Sequence, residues 1–196
     1  MKQHTLTIGL ALIIGCTTSL GPAADEEGER DLSRYAVRYD GPELVAAVGF
    51  HLTSEGIGDE WLILALQVTS SKQGGSTVIH RDEITARTPD GRRIALLTQD
   101  EYRKNSGRFR ILVGRTLSFL PLIKNYERSQ TPCRRWFLEE PGGGTGLEAI
   151  PVNNLQVCSG PLVFKVPGSV QPGRWRLVIE LEESTADIPF VVEDGD

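Results

Sequence analysis

Metal-ligating and nucleophilic side chains are scarce in this 196-residue chain, which has three His, three Cys and one Met. The histidines, His4, His51 and His80, lie far apart, and no Cys-x-x-Cys pair occurs, so the common zinc spacings are absent. There is no Gly-x-Ser-x-Gly elbow, the usual sign of Ser/His hydrolysis. Residues 142–146 are glycine-rich, but Leu147 and Glu148 follow where a phosphate-cradling loop needs Gly-Lys-Ser/Thr, so they read as a flexible loop. His80, Arg81, Asp82 and Glu83 stand in a row; read as strand residues they alternate between faces and form no common site. No catalytic residue, cofactor site or metal site is expected, and a chain without these signs reads as non-enzymatic. Aromatics are few, at 7%, and the longest apolar run, residues 6–14, is too short to span a bilayer as a helix. A formal charge of −5 argues against the whole molecule binding nucleic acid. What is plentiful is Gly and Pro, 21 and 11, favouring a turn-rich β protein over a helical bundle.

The amino terminus stands apart from the fold. Lys2 and His4 form a short polar stretch, the apolar run follows, and it stops at Ile13-Ile14-Gly15-Cys16. This resembles the lipobox of bacterial lipoproteins: branched apolar residues, a small residue, then Cys. The resemblance implies a signal peptide over residues 1–15 and acyl chains on Cys16. An ordinary secretory signal with a chance Cys is the competing reading. Several acyl chains on one residue give stable membrane anchoring where a single chain does not. Thr17, not Asp, follows the cysteine. By the sorting rule of enteric lipoproteins, that implies the outer membrane, facing the periplasm, rather than the inner one. Residues 16–33 are small, polar and acidic, including Asp25, Glu26, Glu27 and Glu29, and read as a flexible tether.

With Cys16 consumed by lipid, Cys133 and Cys158 remain as an even pair in an oxidising compartment, so they are expected to form a disulfide. In the chain-entropy model, closing this loop contributes roughly 3 kcal/mol.

Residues 34–193 read as one domain. Residues 61–68, Trp-Leu-Ile-Leu-Ala-Leu-Gln-Val, are its strongest central strand, apolar throughout and therefore buried on both faces or heavily packed on one. Residues 84–97 form a hairpin turning at Asp90-Gly91. From Cys158 to the carboxyl end, three β-rich runs alternate between apolar and polar positions, as in an antiparallel sheet: Leu162, Phe164 and Val166, then Trp175, Leu177 and Ile179, then residues 188–192. Residues 98–123 break the pattern. Thr98 and Glu101 have capping-box spacing, and Phe109, Leu112, Val113, Leu117 and Leu120 recur at helical period, predicting one or two helices with a break at Asn105-Ser106-Gly107. Phe109, Ile111 and Val113 also alternate, so a strand is the other reading. Residues 130–156 read as a long loop.

Seven or so short strands suit a mainly β, two-sheet sandwich. The segment Gly160-Pro-Leu-Val-Phe-Lys-Val-Pro167, followed by a Pro-Gly turn and an alternating strand, resembles the end of immunoglobulin-like domains of secreted bacterial lipoproteins. The expectation is an immunoglobulin-like antiparallel β-sandwich, with a helical and loop insertion at 98–157 that includes the disulfide-bounded loop. Such domains share no activity, so the resemblance implies a binding or scaffold module.

Charge is the one functional signal. Between positions 103 and 135 stand Arg103, Lys104, Arg108, Arg110, Arg115, Lys124, Arg128, Arg134 and Arg135, with Glu127 the single acid. One reading is a helix neutralised by Glu180, Glu182 and Glu183. The other is a face for an anionic partner: lipid, glycan or acidic protein. An unrecognised envelope enzyme with a site near residues 121–157 is the alternative to a binding module.

Overall fold

Strand β4 (Trp61–Ser70) is buried along all ten of its residues. The computed structural model describes residues 29–51, 53, 60–118, 131–133 and 135–194. The expected signal peptide, Cys16, most of the expected tether, Lys124, Arg128 and Arg134 lie outside them. Around β4 run β1 (Glu29–Ser33), β2 (Ala36–Asp40), β3 (Leu44–Gly49), β5 (Ser76–His80), β6 (Ile84–Arg87) and β7 (Arg93–Ala95). Helix α1 (Gln99–Ser118) follows, then β8 (Thr131–Pro132), β9 (Ala149–Asn153), β10 (Gln156–Lys165), β11 (Gly173–Glu180) and β12 (Thr185–Val192).

The chain is mainly β and sandwich-like, as expected. One sheet has the order β1-β2-β3-β4-β10-β8 and the other β12-β11-β6-β7, with β5-β9 as a separate pair. All pairings are antiparallel except the short β8–β10 contact. On β4, Leu62, Leu64 and Leu66 share a face with Phe164, Leu162 and Gly160 of β10, their register partners. These residues share one core with Trp175, Leu177 and Ile179 of β11 and Ile188 and Phe190 of β12. The opposite face of β4, with Trp61, Ile63 and Ala65, is buried too. Helix α1 lies against β4 and β10; its Tyr102 and Val113 belong to the same buried cluster as Trp61 and Ile63, while Ala65 packs with Ala47 and Leu32.

Several expectations are corrected. The three carboxyl-terminal runs do not make one sheet. β10 is apolar on both faces and takes a central place beside β4, whereas the half-wet β11–β12 hairpin belongs to the facing sheet. Residues 29–33, expected in the tether, form edge strand β1 through backbone pairing with β2 alone. Arg81–Glu83 is a single 3-10 turn after β5, not a strand. The long loop contains β9, which pairs with β5 along Ser76–His80. The disulfide is present: Cys133 and Cys158, Cα atoms 4.7 Å apart, fasten the end of β8 to the buried middle of the molecule.

One buried carboxylate closes an end of the sandwich. Glu43, at the entry to β3, is 1% exposed. Its Oε2 accepts the Glu183 N–H at 3.0 Å and the Ser184 hydroxyl at 2.7 Å, both in the β11–β12 turn. Lys72 pairs with its Oε1 at 3.0 Å. Its backbone carbonyl accepts Ser71 N–H and the Thr77 hydroxyl, at 3.0 Å each. Burial pushes the Glu43 carboxyl up, but the bonds from Ser184, Lys72 and Glu183 outweigh it and hold it below the usual range.

A carboxyl with a lowered folded-state pKa contributes stability above its unfolded value, near about 4.3, and loses it as pH falls through the folded value. Glu43→Gln should therefore destabilise the domain by about 2 kcal/mol at pH 7, as the hydrogen bonds to a buried charged group are weakened, and by clearly less at pH 3. Urea titration at both pH values checks this; an equal loss at both would refute the charged role of Glu43.

Candidate functional site

Helix α1 starts where its capping box predicts. Thr98 Oγ1 accepts the Glu101 N–H at 3.2 Å, and Glu101 Oε2 accepts the Thr98 N–H at 2.9 Å and its hydroxyl at 2.8 Å. The backbone bond from Thr98, then its hydroxyl, hold the Glu101 carboxyl below its ordinary range. The helix then runs unbroken for 20 residues, through the expected break at Asn105-Ser106-Gly107. Packing explains this. Gln99, Tyr102, Ser106, Val113 and Thr116 lie along one side of the helix and are all buried, which offsets the poor propensity of glycine.

The buried side is tied to the segment that follows the disulfide. The Gln99 side chain pairs with both backbone groups of Glu139, donating to its carbonyl at 2.7 Å and accepting its N–H at 2.8 Å. The Tyr102 hydroxyl donates to Glu140 Oε1 at 2.6 Å; burial and that carboxylate push the phenol well above its ordinary value. Trp136 donates from its indole to the Pro161 carbonyl at 2.8 Å and lies where a side chain on Gly160 would have to be. Between helix and loop is a cleft of about 340 Å³, lined by Tyr102, Val113, Trp136, Glu139 and Glu140. Its carboxylates are engaged: Glu139 accepts the Trp136 N–H at 3.0 Å, and Glu140 accepts Tyr102. This cleft lies in the 121–157 region where an enzyme site was the alternative, and both of its carboxylates accept hydrogen bonds from its own lining.

The basic residues divide into groups. Arg103 donates to the Gly144 carbonyl and Arg135 to the Thr145 carbonyl. The glycine-rich loop, expected to be a flexible connection, is thus held at two carbonyls by two of the arginines expected on the binding face. Arg108 pairs with Glu60 at 3.1 Å, and Lys165 reaches the other oxygen of Glu60 at 3.5 Å while lying 5.8 Å from the Trp61 ring centre. Lys104, Arg110 and Arg115 are exposed, and Arg110 has no ion-pair or hydrogen-bond partner among the described residues. Of the three acids expected to neutralise the helix, Glu180 pairs with Arg93 and Glu183 with Lys72.

At 3.6 residues per turn, positions 104, 108, 111 and 115 fall within about 60° of one another. Lys104, Arg108 and Arg115 therefore surround Ile111, which is 79% exposed. Ile111 was legible in the sequence only as a member of the alternating apolar set of the strand reading. Its helical spacing from the three cations, opposite the buried 102-106-113 stripe, is the signal that marks it as outward.

Among the described residues no cluster of three His, Cys, Asp or Glu side chains is arranged to hold a metal ion, and no helix is long and apolar enough to cross a membrane. No family model matches the chain, and no curated protein and no solved structure is significantly similar to it.

Gly107 and Gly114 lie on the exposed side of α1, and a Cβ on either meets nothing within 4 Å. Gly107→Ala and Gly114→Ala should each raise stability by about 0.5–1 kcal/mol, because glycine is the costlier helix residue. Thermal unfolding of the double variant checks this; a loss of stability would show that one glycine is required by a contact.

Proposed function

We propose that this protein is a lipid-anchored component of the bacterial cell envelope that works by binding, with the sandwich as scaffold and the outer face of α1 as its contact surface for an anionic partner. The observation that carries the reading is the exposed cationic surface of Lys104, Arg108, Arg110 and Arg115 on the helix that covers the six-stranded sheet. The sequence Ile13-Ile14-Gly15-Cys16 supports the anchor, with Cys16 as the acylated residue and the periplasmic side of the outer membrane as its place. An accessory or scaffold role without catalysis fits a surface on which charge, rather than a set of converging reactive groups, is the salient chemistry.

Cys16→Ser should move the protein from the membrane to the soluble fraction after detergent-free lysis; a wild-type protein already soluble would contradict the anchor. The chain from Thr17 contains every described element. It should bind anionic surfaces at 0.1 M salt and release them at 1 M, as the Debye length falls from about 10 Å to about 3 Å. Reversal of Lys104, Arg108 and Arg115 to Glu should abolish that binding while leaving the unfolding midpoint nearly unchanged, since exposed ion pairs contribute little. A large loss of stability with unchanged binding would overturn the reading.

A further inference from the structure

Resting on that reading, we infer that the anionic partner of α1 is the surface of a phospholipid bilayer, with the helix lying along it and Ile111 entering the headgroup layer. Three observations carry this. Ile111 is the most exposed of the large apolar side chains among the described residues, at 79%, and stands between Lys104, Arg108 and Arg115 at helical spacing. A polysaccharide or an acidic segment would be served by the cations alone. A bilayer interface takes both, the cations against phosphate and the isoleucine at the boundary of the acyl chains. Second, a further cation stands beside the helix: Lys165, 59% exposed, shares Glu60 with Arg108 and lies beside Trp61, so two cations accompany one carboxylate there.

Third, chain length and topology allow the anchor and the helix to reach the same surface. Twelve residues separate Cys16 from Glu29, a maximum reach of roughly 40 Å. β1 begins at Glu29 and lies in the same sheet whose strands β4 and β10 carry α1. It is three strand spacings from β4, about 14 Å. An acylated Cys16 and the outer face of α1 can therefore engage one leaflet, the two-signal arrangement in which an acyl anchor and a basic patch reinforce each other.

The test uses the chain from Thr17 to Asp196, so that acyl chains do not mask the contribution of the helix. Cosedimentation is measured with vesicles of phosphatidylglycerol and phosphatidylcholine, with pure phosphatidylcholine, and, as a soluble polyanion without an apolar layer, with heparin. The expected result is partition onto the anionic vesicles and not onto phosphatidylcholine. Ile111→Gln should lower that partition about fivefold or more, from loss of the buried side chain, while leaving heparin affinity within about twofold. Each cation reversed to Glu should cost at least about fivefold on the vesicles. Ile111 is exposed, so its replacement should not move the unfolding midpoint. Heparin binding with no vesicle binding, or vesicle binding indifferent to Ile111→Gln, overturns the bilayer as partner and leaves a basic face for a soluble polyanion. Absence of binding to both heparin and anionic vesicles at low salt overturns the anionic-partner reading itself.

Discussion

Burial of β4 on both faces is the constraint on which the rest of the structure depends. A strand that reads Trp-Leu-Ile-Leu-Ala-Leu has no face to give to water, so the sheet that holds it needs a layer on each side. The four-stranded sheet supplies one, meeting Leu62, Leu64 and Leu66 with Trp175, Leu177 and Ile179. Helix α1 lies against β4 and β10 with Tyr102, Ser106 and Val113 buried, and Ala47 and Leu32 pack on Ala65. That requirement also fixes where the charge goes. Once one side of the helix is committed to the sheet, the cations at 104, 108, 110 and 115 are turned to solvent. Nothing else in the fold has to be specified for a basic surface to appear.

The polar bonds do a different job from the apolar core: they set which pieces meet. Glu43 connects the start of β3 to the β11–β12 turn and to Lys72, so the two sheets are registered at that end by a buried charge rather than by shape alone. The Cys133–Cys158 bond and the Trp136 indole fix the segment after β8 against β10, and Gln99 and Tyr102 then bind the helix to that segment. Glu43 is itself buried, and its hydrogen bonds to Glu183 and Ser184 are to a charged acceptor, which is why a single group of this kind outweighs several surface pairs such as Arg93–Glu180.

Much of this was legible in the sequence where the signal is local. The capping box at Thr98 and Glu101, the Asp90-Gly91 turn and the apolar run of β4 each act within a few residues, and each is found in place. The pairing of Cys133 with Cys158 followed from counting. What failed was information held at long range. β1 has no apolar alternation in Glu29-Arg30-Asp31-Leu32-Ser33 and is a strand because β2 offers it an edge. β10 alternates like β11, and only its second apolar face says that it belongs beside β4. The helix crosses Gly107 because contacts with the sheet outweigh propensity. In the site, the count of basic residues was plain, but their division was not. Arg103 and Arg135 face the 142–146 loop, and Arg103 meets it only through a return of the chain some 40 residues on, so no local pattern separates them from Lys104 and Arg110.

The central claim, that the layer covering β4 is also the contact surface, is tested most directly by mapping. An isotope-labelled chain from Thr17 would be titrated with discs of anionic phospholipid while its backbone amide resonances are followed. The account predicts that shifts and broadening begin at Lys104, Arg108, Ile111 and Arg115, extend to Lys165, and leave the β11–β12 hairpin unchanged. Perturbation centred on that hairpin or on the β5–β9 pair, with α1 unmoved, would contradict it.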